Sequence, residues 1–225
     1  MCDSAGVEAA VDHGAVWARA LELKDALLTR DRKGVEGLCD PAFWQRAGRE
    51  ELLGLVPHIA SATALGVLGR RSLIRLTTPG MRQPEPVLEQ LWAHVGGALL
   101  VEDERLFALA DRAQVESSSD PERLARLRTK LECQDAARLY AAALVAHDVT
   151  TATAMWSDAY AAGHGDEVRP QLLTVRRAEL IGSVGPRTLV WLMMDDGEHT
   201  VELLWREYGH RWLIEGARTF TPGAP

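Results

Sequence analysis

The chain has few of the residues that link a fold covalently or bind metal. Its three cysteines, Cys2, Cys39 and Cys133, are odd in number, and none stands in a CxxC spacing. This pattern is not that of a disulfide framework or of a zinc site. We therefore expect reduced thiols, with Cys39 buried, and a protein that needs no disulfide and no metal.

Long apolar runs and an excess of basic residues are also missing. No stretch approaches the roughly 20 apolar residues that cross a bilayer, and the acidic N-terminus MCDSAGVEAAVDHGAVW does not resemble a secretory signal. The net charge is −7, with 25 Lys and Arg residues dispersed among 32 acidic ones. Nucleic acids and anionic membranes are normally bound by a basic surface. We expect a cytoplasmic protein that binds neither nucleic acid nor membrane.

What the sequence does contain is an internal repeat. Residues 96–107 (GGALLVEDERLF) match residues 209–220 (GHRWLIEGARTF) at an offset of 113, which pairs Glu102 with Glu215 and Trp92 with Trp205. Two further matches follow in the same order, at offsets of 116 and 117: GRRSLIRL with GPRTLVWL, and ALLTRDRKGVEGLCDPAFW with ALVAHDVTTATAMWSDAYA. A repeat of this length indicates duplicated structural units. The sequence predicts unit one at 1–112, a linker at 113–120 and unit two at 121–225.

Each unit has the pattern of helices followed by strands. Apolar residues at spacings of three and four predict a long amphipathic helix over 7–30 and over 121–147. A second short helix follows Asp31 or Asp148, each of which we interpret as an N-cap. A third short helix or turn is expected within 49–60 or 167–176. Three or more antiparallel strands come last, with tight hairpin turns at Gly96-Gly97 and Gly209-His210. The predicted fold class is α+β.

This arrangement resembles the nuclear transport factor 2-like superfamily, which includes SnoaL-like cyclases, ketosteroid isomerase, scytalone dehydratase and limonene-epoxide hydrolase. The matching features are the Asp that ends each long helix (Asp31, Asp148) and the closing Trp, Gly turn and apolar strand, as in LLWREYGHRWLIEGAR (203–218). The resemblance implies two cone-shaped units, each with helices and a curved antiparallel sheet. Because members commonly pair sheet against sheet, it also implies an intramolecular pseudo-dimer that is a monomer in solution.

The composition of the strands favours the same pairing. LVWLMM (189–194) is apolar on both faces, whereas a sheet with one solvated face should alternate. Such strands need cover on both sides, with helices on one face and another sheet on the other.

Three polar residues of unit two form the candidate catalytic group. If Gly209-His210 is a two-residue turn, Leu204 pairs with Glu215, and Glu202, Arg206 and Glu215 lie on one face of the sheet. Two carboxylates that flank an arginine can divide the roles of acid and base. Unit one has Ala93 in place of Arg206, so the site would exist in unit two alone. The alternative is a salt-bridged patch along the contact between the sheets.

Candidate ligand-binding residues are Trp205, Trp212, Trp191 and His199, although core packing is the more typical role of such tryptophans, and His199 fits a loop or a strand end. Two functions follow from the resemblance. The first is a cofactor-independent cyclase, isomerase or epoxide-hydrolase-like enzyme that acts on a hydrophobic, polyketide- or terpene-like small molecule. The second is a non-catalytic scaffold that binds a ligand or a protein. In either case we expect the larger and more polar pocket in unit two.

Overall fold

Two four-stranded antiparallel sheets form the framework of the protein. The structure, a computed structural model, describes residues 12–48, 58–79, 85–110, 112–117 and 119–222. Sheet 1 has the strand order β1-β2-β3-β4 and sheet 2 the order β5-β6-β7-β8, so neighbours in sequence are neighbours in space. The strands are β1 (Ser61–Leu68), β2 (Arg71–Thr77), β3 (Val87–Val95), β4 (Ala98–Phe107), β5 (Arg177–Val184), β6 (Arg187–Met194), β7 (Gly197–Tyr208) and β8 (Arg211–Phe220).

Helices precede each sheet, which confirms the α+β class. No helix within the described ranges is both long enough and apolar enough to span a membrane. Before sheet 1 lie α1 (His13–Thr29), α2 (Arg32–Gly37) and α3 (Pro41–Phe43), the last continued by a π-helical turn (Trp44–Gly48); before sheet 2 lie α4 (Arg112–Ser117), α5 (Pro121–Val145), α6 (Val149–Thr153) and α7 (Asp158–Leu172).

Short polar side chains begin these helices, as the sequence predicts. The Asp148 carboxylate accepts a hydrogen bond of 2.9 Å from the Thr151 amide, and Asp31 accepts one of 3.0 Å from the Gly34 amide. Asp120 caps α5, and Pro121 occupies its first turn. Each cap satisfies an amide that has no partner within the helix. The helix α4 falls within the segment predicted as the linker.

Two features of the secondary structure differ from the sequence-based predictions. The segment 167–176 is not a separate short helix, because α7 already begins at Asp158 and continues for 15 residues. The corresponding segment 49–60 lies mostly outside the described residues. Strands β1 and β5 were not identified individually, because SATALGVL and RAELIGSV intersperse their apolar residues with small and polar ones and each contains a glycine.

A β-bulge in each sheet changes the predicted register. Tyr208 pairs with Arg211 and Trp205 with Ile214 as expected, but Leu204 then pairs with Gly216, and Glu215 is the extra residue. The predicted pairing of Leu204 with Glu215 is therefore wrong, because a bulge adds one residue to a strand. Sheet 1 has its bulge at the corresponding place, between Leu91 and Trp92.

The apolar core consists of three clusters. One lies between α1 and sheet 1, and a second lies between α5, α7 and sheet 2. The third lies where the two sheets meet and draws from both: Leu73, Val87, Phe107, Ile181, Leu189 and Phe220. Each sheet is thus covered by helices on one face and contacts the other sheet on its opposite face.

The sheets also meet through their backbones at two places. Val67 and Thr221 exchange hydrogen bonds of 2.9 and 3.1 Å, and the amide of Ser183 donates one of 3.2 Å to Ala108. In each contact a glycine precedes the residue whose amide donates: Gly66 precedes Val67, and Gly182 precedes Ser183. A Cβ on Gly182 would lie 2.5 Å from the Ala108 nitrogen, and one on Gly66 would lie 3.0 Å from the Phe220 and Thr221 backbone. Glycine permits this close approach.

Candidate functional site

A cavity of about 840 Å³ lies between α5, α7 and the helix-facing side of sheet 2. Its volume is within the range of small-molecule sites. Most of its lining is apolar, and these side chains come from both helices and three strands: Leu144, Val168, Leu172, Val175, Val190, Leu192, Met194, Val201, Leu203 and Ala217. Val201 and Leu203 both face the cavity because every second side chain of a strand points to the same face of the sheet.

Two tyrosines provide polar groups inside this apolar lining. Tyr140 on α5 and Tyr160 on α7 are both buried. Trp156 Nε1 donates to the Tyr140 hydroxyl at 3.4 Å, while no described residue forms a hydrogen bond with the Tyr160 hydroxyl. Burial raises the pKa of Tyr140 to about 12 and also raises the pKa of Tyr160, so both phenols remain protonated donors near neutral pH.

Acidic and imidazole groups surround the mouth of the cavity. His199 Nε2 lies 2.8 Å from Asp196 Oδ1, and this hydrogen bond lowers the pKa of Asp196. Asp195 accepts a hydrogen bond of 2.7 Å from Arg176 Nε. Glu167 and His164 project from α7 on the opposite side. The His164 ring stacks on Tyr160 with 5.1 Å between ring centroids.

These groups do not form a metal centre. Within the described ranges, no three His, Cys, Asp or Glu side chains are grouped so that they could hold a metal ion.

The structure pairs Arg206 with Glu215 but separates both from Glu202, and none of the three lines the cavity. Glu202 lies between the sheets instead, with only 4% of its surface exposed. It accepts two hydrogen bonds, of 2.9 and 2.8 Å, from the Arg71 guanidinium and another from Arg187 Nε. Glu202 thus corresponds to the alternative interpretation, a salt bridge at the contact between the sheets.

Glu89 completes this arrangement of four residues, which we call the ionic ring: Arg71, Glu89, Arg187 and Glu202. Glu89 accepts hydrogen bonds from both arginines, at 2.8 Å from Arg71. The guanidiniums lie 5.2 Å from the ring centroids of Phe220 (Arg71) and Phe107 (Arg187). Burial by itself raises the pKa of Glu202, but the hydrogen bonds and charges of the two arginines outweigh it and hold that pKa below its usual value.

Arg206 and Glu215 form a separate pair on the surface. Arg206 Nη1 lies 3.2 Å from Glu215 Oε1, and the Tyr208 hydroxyl donates to the same carboxylate. The hydrogen bond from Tyr208 is the main cause that lowers the pKa of Glu215. The pair is open to solvent, so it provides no water-excluded site for acid–base chemistry.

Of the predicted ligand-binding residues, His199 lines the cavity and the three tryptophans do not. Trp205 is buried in the core and donates to Thr188 Oγ1 at 2.8 Å. Trp212 packs against the same core, and Trp191 lies at the contact between the sheets and donates to Glu198 at 3.1 Å.

Sequence reasoning missed Tyr140, Tyr160 and Asp196 as cavity residues. A usable signal was present for Tyr140, because it falls on the buried helix stripe at three residues from Ala137 and four from Leu144. Asp196 lies in the hairpin turn between β6 and β7, since Met194 pairs with Gly197. Its contact with His199 depends on the path of that turn.

Comparison with known proteins adds little to this description. No family model matches the sequence, and no curated protein matches it. Among solved structures, the chain is similar to an "Ntf2 like protein involved in plasmid conjugation". The two are 12% identical, the match covers 73% of this chain and 77% of that one, and the TM-score is 0.25. A likeness of this degree does not identify a function.

Proposed function

We propose that this protein binds a small, predominantly apolar molecule in the cavity beside sheet 2. The observation that carries the proposal is the cavity itself: about 840 Å³, apolar for most of its lining, with the unpaired hydroxyl of the buried Tyr160 on its wall. Sites of this kind use apolar surface for affinity and a few polar groups for orientation. A polyketide- or terpene-like molecule has the matching chemistry, because it combines a hydrocarbon body with isolated oxygen atoms.

We also infer that the fold is a duplicated nuclear transport factor 2-like cone and that the two copies form an internal pseudo-dimer. Equivalent contacts recur at the offsets of the sequence repeat. Trp92 donates to Ser72 Oγ at 2.8 Å as Trp205 donates to Thr188. The amide of Asp40 donates to Val101, and that of Ser157 donates to Ile214. Each half of the chain contributes one arginine and one glutamate to the ionic ring. Arg71 and Arg187 are related by the offset of 116, and Glu89 and Glu202 by the offset of 113.

Proton transfer on the bound molecule is a second candidate function, and the pair of Asp196 and His199 favours it. Asp196 holds His199 through Nε2, which leaves Nδ1 as the nitrogen able to accept a proton. A carboxylate-oriented imidazole of this kind is a common general base. This function corresponds to the isomerase or cyclase alternative and uses neither metal nor cofactor. It predicts that His199→Asn slows solvent deuterium exchange at the acidic C–H of a bound aryl ketone, measured by proton NMR, without weakening ketone binding.

The binding proposal is tested by filling the cavity with a larger side chain. Met194 lines the cavity, whereas its neighbour Met193 does not, and both lie on β6. We expect the neutral fluorophore prodan to bind the wild type with one-to-one stoichiometry. Met194→Trp should weaken binding at least about tenfold, because the indole occupies ligand volume, while Met193→Trp should leave it unchanged. Circular dichroism melting checks that both variants fold. Equal binding by the two variants, or no binding to the wild type, would contradict the proposal.

A further inference from the structure

The charged groups around the cavity are all of one sign. Its lining includes three acidic residues, Glu167, Asp195 and Asp196, but no lysine and no arginine. A ligand that enters from this side approaches negative charge, and the whole protein also carries a net charge of −7. An anionic ligand, such as a fatty acid or a phosphate ester, would find no cationic partner among the lining residues.

The three carboxylates differ in how far they are neutralised. Asp195 forms an ion pair of 2.7 Å with Arg176, which lies outside the lining. Asp196 lies 2.8 Å from His199 and forms no ion pair with a lysine or arginine of the described ranges. Glu167 forms no salt bridge with any described residue. The two lining carboxylates without a lysine or arginine partner among the described residues are therefore Glu167, on α7, and Asp196, in the turn between β6 and β7.

An independent observation connects this charge to the interior. Tyr160 is only 5% exposed, it lines the cavity, and its hydroxyl has no hydrogen-bond partner among the described residues. The hydroxyl is not one of the fully buried polar atoms that lack a partner, so it is open to the cavity and can donate to a ligand or to water. Burial is the main cause of the raised pKa of Tyr160, and the negative charge of Glu167 contributes to it.

We propose that the cavity selects a cationic amphipathic ligand, with an apolar body in the interior and a protonated amine between Glu167 and Asp196. The Tyr160 hydroxyl donates to an oxygen of the same molecule. The inference rests on the proposed binding function and defines its ligand class. Solvent-exposed carboxylate groups beside the cavity attract an ammonium group and repel a carboxylate, so the two ligand charges are affected in opposite directions.

The test uses three ligands with one skeleton: naphthylbutylamine, naphthylbutanol and naphthylbutanoate. Isothermal titration calorimetry near neutral pH should give an affinity for the amine at least about fivefold higher than for the alcohol, which corresponds to about 1 kcal/mol. The carboxylate should bind more weakly than the alcohol. Glu167→Gln and Asp196→Asn should each reduce amine affinity about two- to threefold and leave alcohol affinity unchanged. Added salt should weaken only the amine, because salt screens exposed charges.

Asp166→Asn is the matched control, since Asp166 adjoins Glu167 on α7 but does not line the cavity. It should leave the affinity for all three ligands unchanged. If the three ligands bind the wild type equally, or if Asp166→Asn acts as strongly as Glu167→Gln, the charge selection is wrong and the proposed binding function stands. If none of the three binds and prodan does not bind, both proposals fall together.

Discussion

The two halves of the chain have the same backbone framework and different side chains at the cavity. Sheet 1 and sheet 2 share strand order, the position of two bulges and the hydrogen bond from a buried tryptophan to a hydroxyl. The long helices bury equivalent residues: Val16 and Cys133, Ala20 and Ala137, Leu27 and Leu144. The framework therefore depends on backbone pairing and on the size of buried residues, which both halves satisfy.

The two halves differ at two buried positions where the second half has a tyrosine and the first half has an apolar residue. At the repeat offset of 117, Tyr140 corresponds to Leu23 and Tyr160 corresponds to Phe43, and both residues of the first half are fully buried and apolar. Two hydroxyl groups distinguish a wall that can orient a ligand from one that can only pack. The two halves thus differ in polarity at these positions, although both bury them.

The largest expected effect concerns the ionic ring, in which the two halves contribute equally. Glu89→Gln and Glu202→Gln should each lower the free energy of unfolding by about 3–5 kcal/mol, because each leaves two buried arginines with one carboxylate. Urea unfolding measures the change. Glu215→Gln, in the exposed pair, should have no measurable effect and serves as control. Markedly unequal effects at Glu89 and Glu202 would show that the halves do not share the ring.

The ring also predicts how stability depends on pH. Because the pKa of Glu202 is lower in the folded protein, the ring stabilises the fold above the unfolded-state value of about 4.3 and loses this contribution as the pH falls through the folded value. The difference in unfolding free energy between wild type and Glu202→Gln should therefore be greatest near neutral pH and shrink in acid. A difference that grows on acidification would rule out this explanation.

A smaller effect is expected at the two glycines where the sheets meet. Gly182→Ala should lower the unfolding free energy by about 1–3 kcal/mol, since the added Cβ would lie 2.5 Å from backbone and force the sheets apart. Gly66→Ala should act similarly, because Gly66 has a φ of 154° and its Cβ would lie 3.0 Å from backbone. Gly216→Ala is the control: its nearest neighbour is Leu204 Cβ at 3.8 Å, so thermal melting should show no loss.

The smallest effect is expected at the ends of the long helices. Arg30 and His147 occupy equivalent positions with φ of 58° and 55°, a left-handed conformation that side chains other than glycine disfavour. Arg30→Gly and His147→Gly should each raise stability by up to about 1 kcal/mol. Ala146→Gly, one residue earlier in a right-handed conformation, should lower it. Melting temperatures that fall for both left-handed positions would contradict the equivalence of these helix ends.

The sequence predicted the fold wherever local chemistry is sufficient. Asp31 and Asp148 start helices because a carboxylate binds free amides at a helix N-terminus. Gly96 and Gly209 form hairpin turns because they adopt positive φ. The burial of Cys39 followed from its apolar surroundings, and burial raises the pKa of its thiol to about 12. The repeat itself predicted which positions would have equivalent contacts.

The candidate site could not be predicted in the same way. Strand alternation placed Glu202, Arg206 and Glu215 on one face, but it gave no information on what covers that face. The bulge at Trp205 displaced Glu215, and sheet 1 covers Glu202 while leaving Arg206 in solvent. Sequence patterns predict the orientation of side chains and not the extent of the opposing surface.

The amino-acid sequence by itself determined helix starts and hairpin turns, because these depend on interactions between residues close in the chain. Only the tertiary structure decided that Glu202 meets Arg71, which is 131 residues distant, and that Asp196 and His199 face Glu167 across a cavity. Such partners are set by how sheets and helices pack, since a charged side chain pairs with whichever opposite charge the packed surfaces bring within hydrogen-bonding distance.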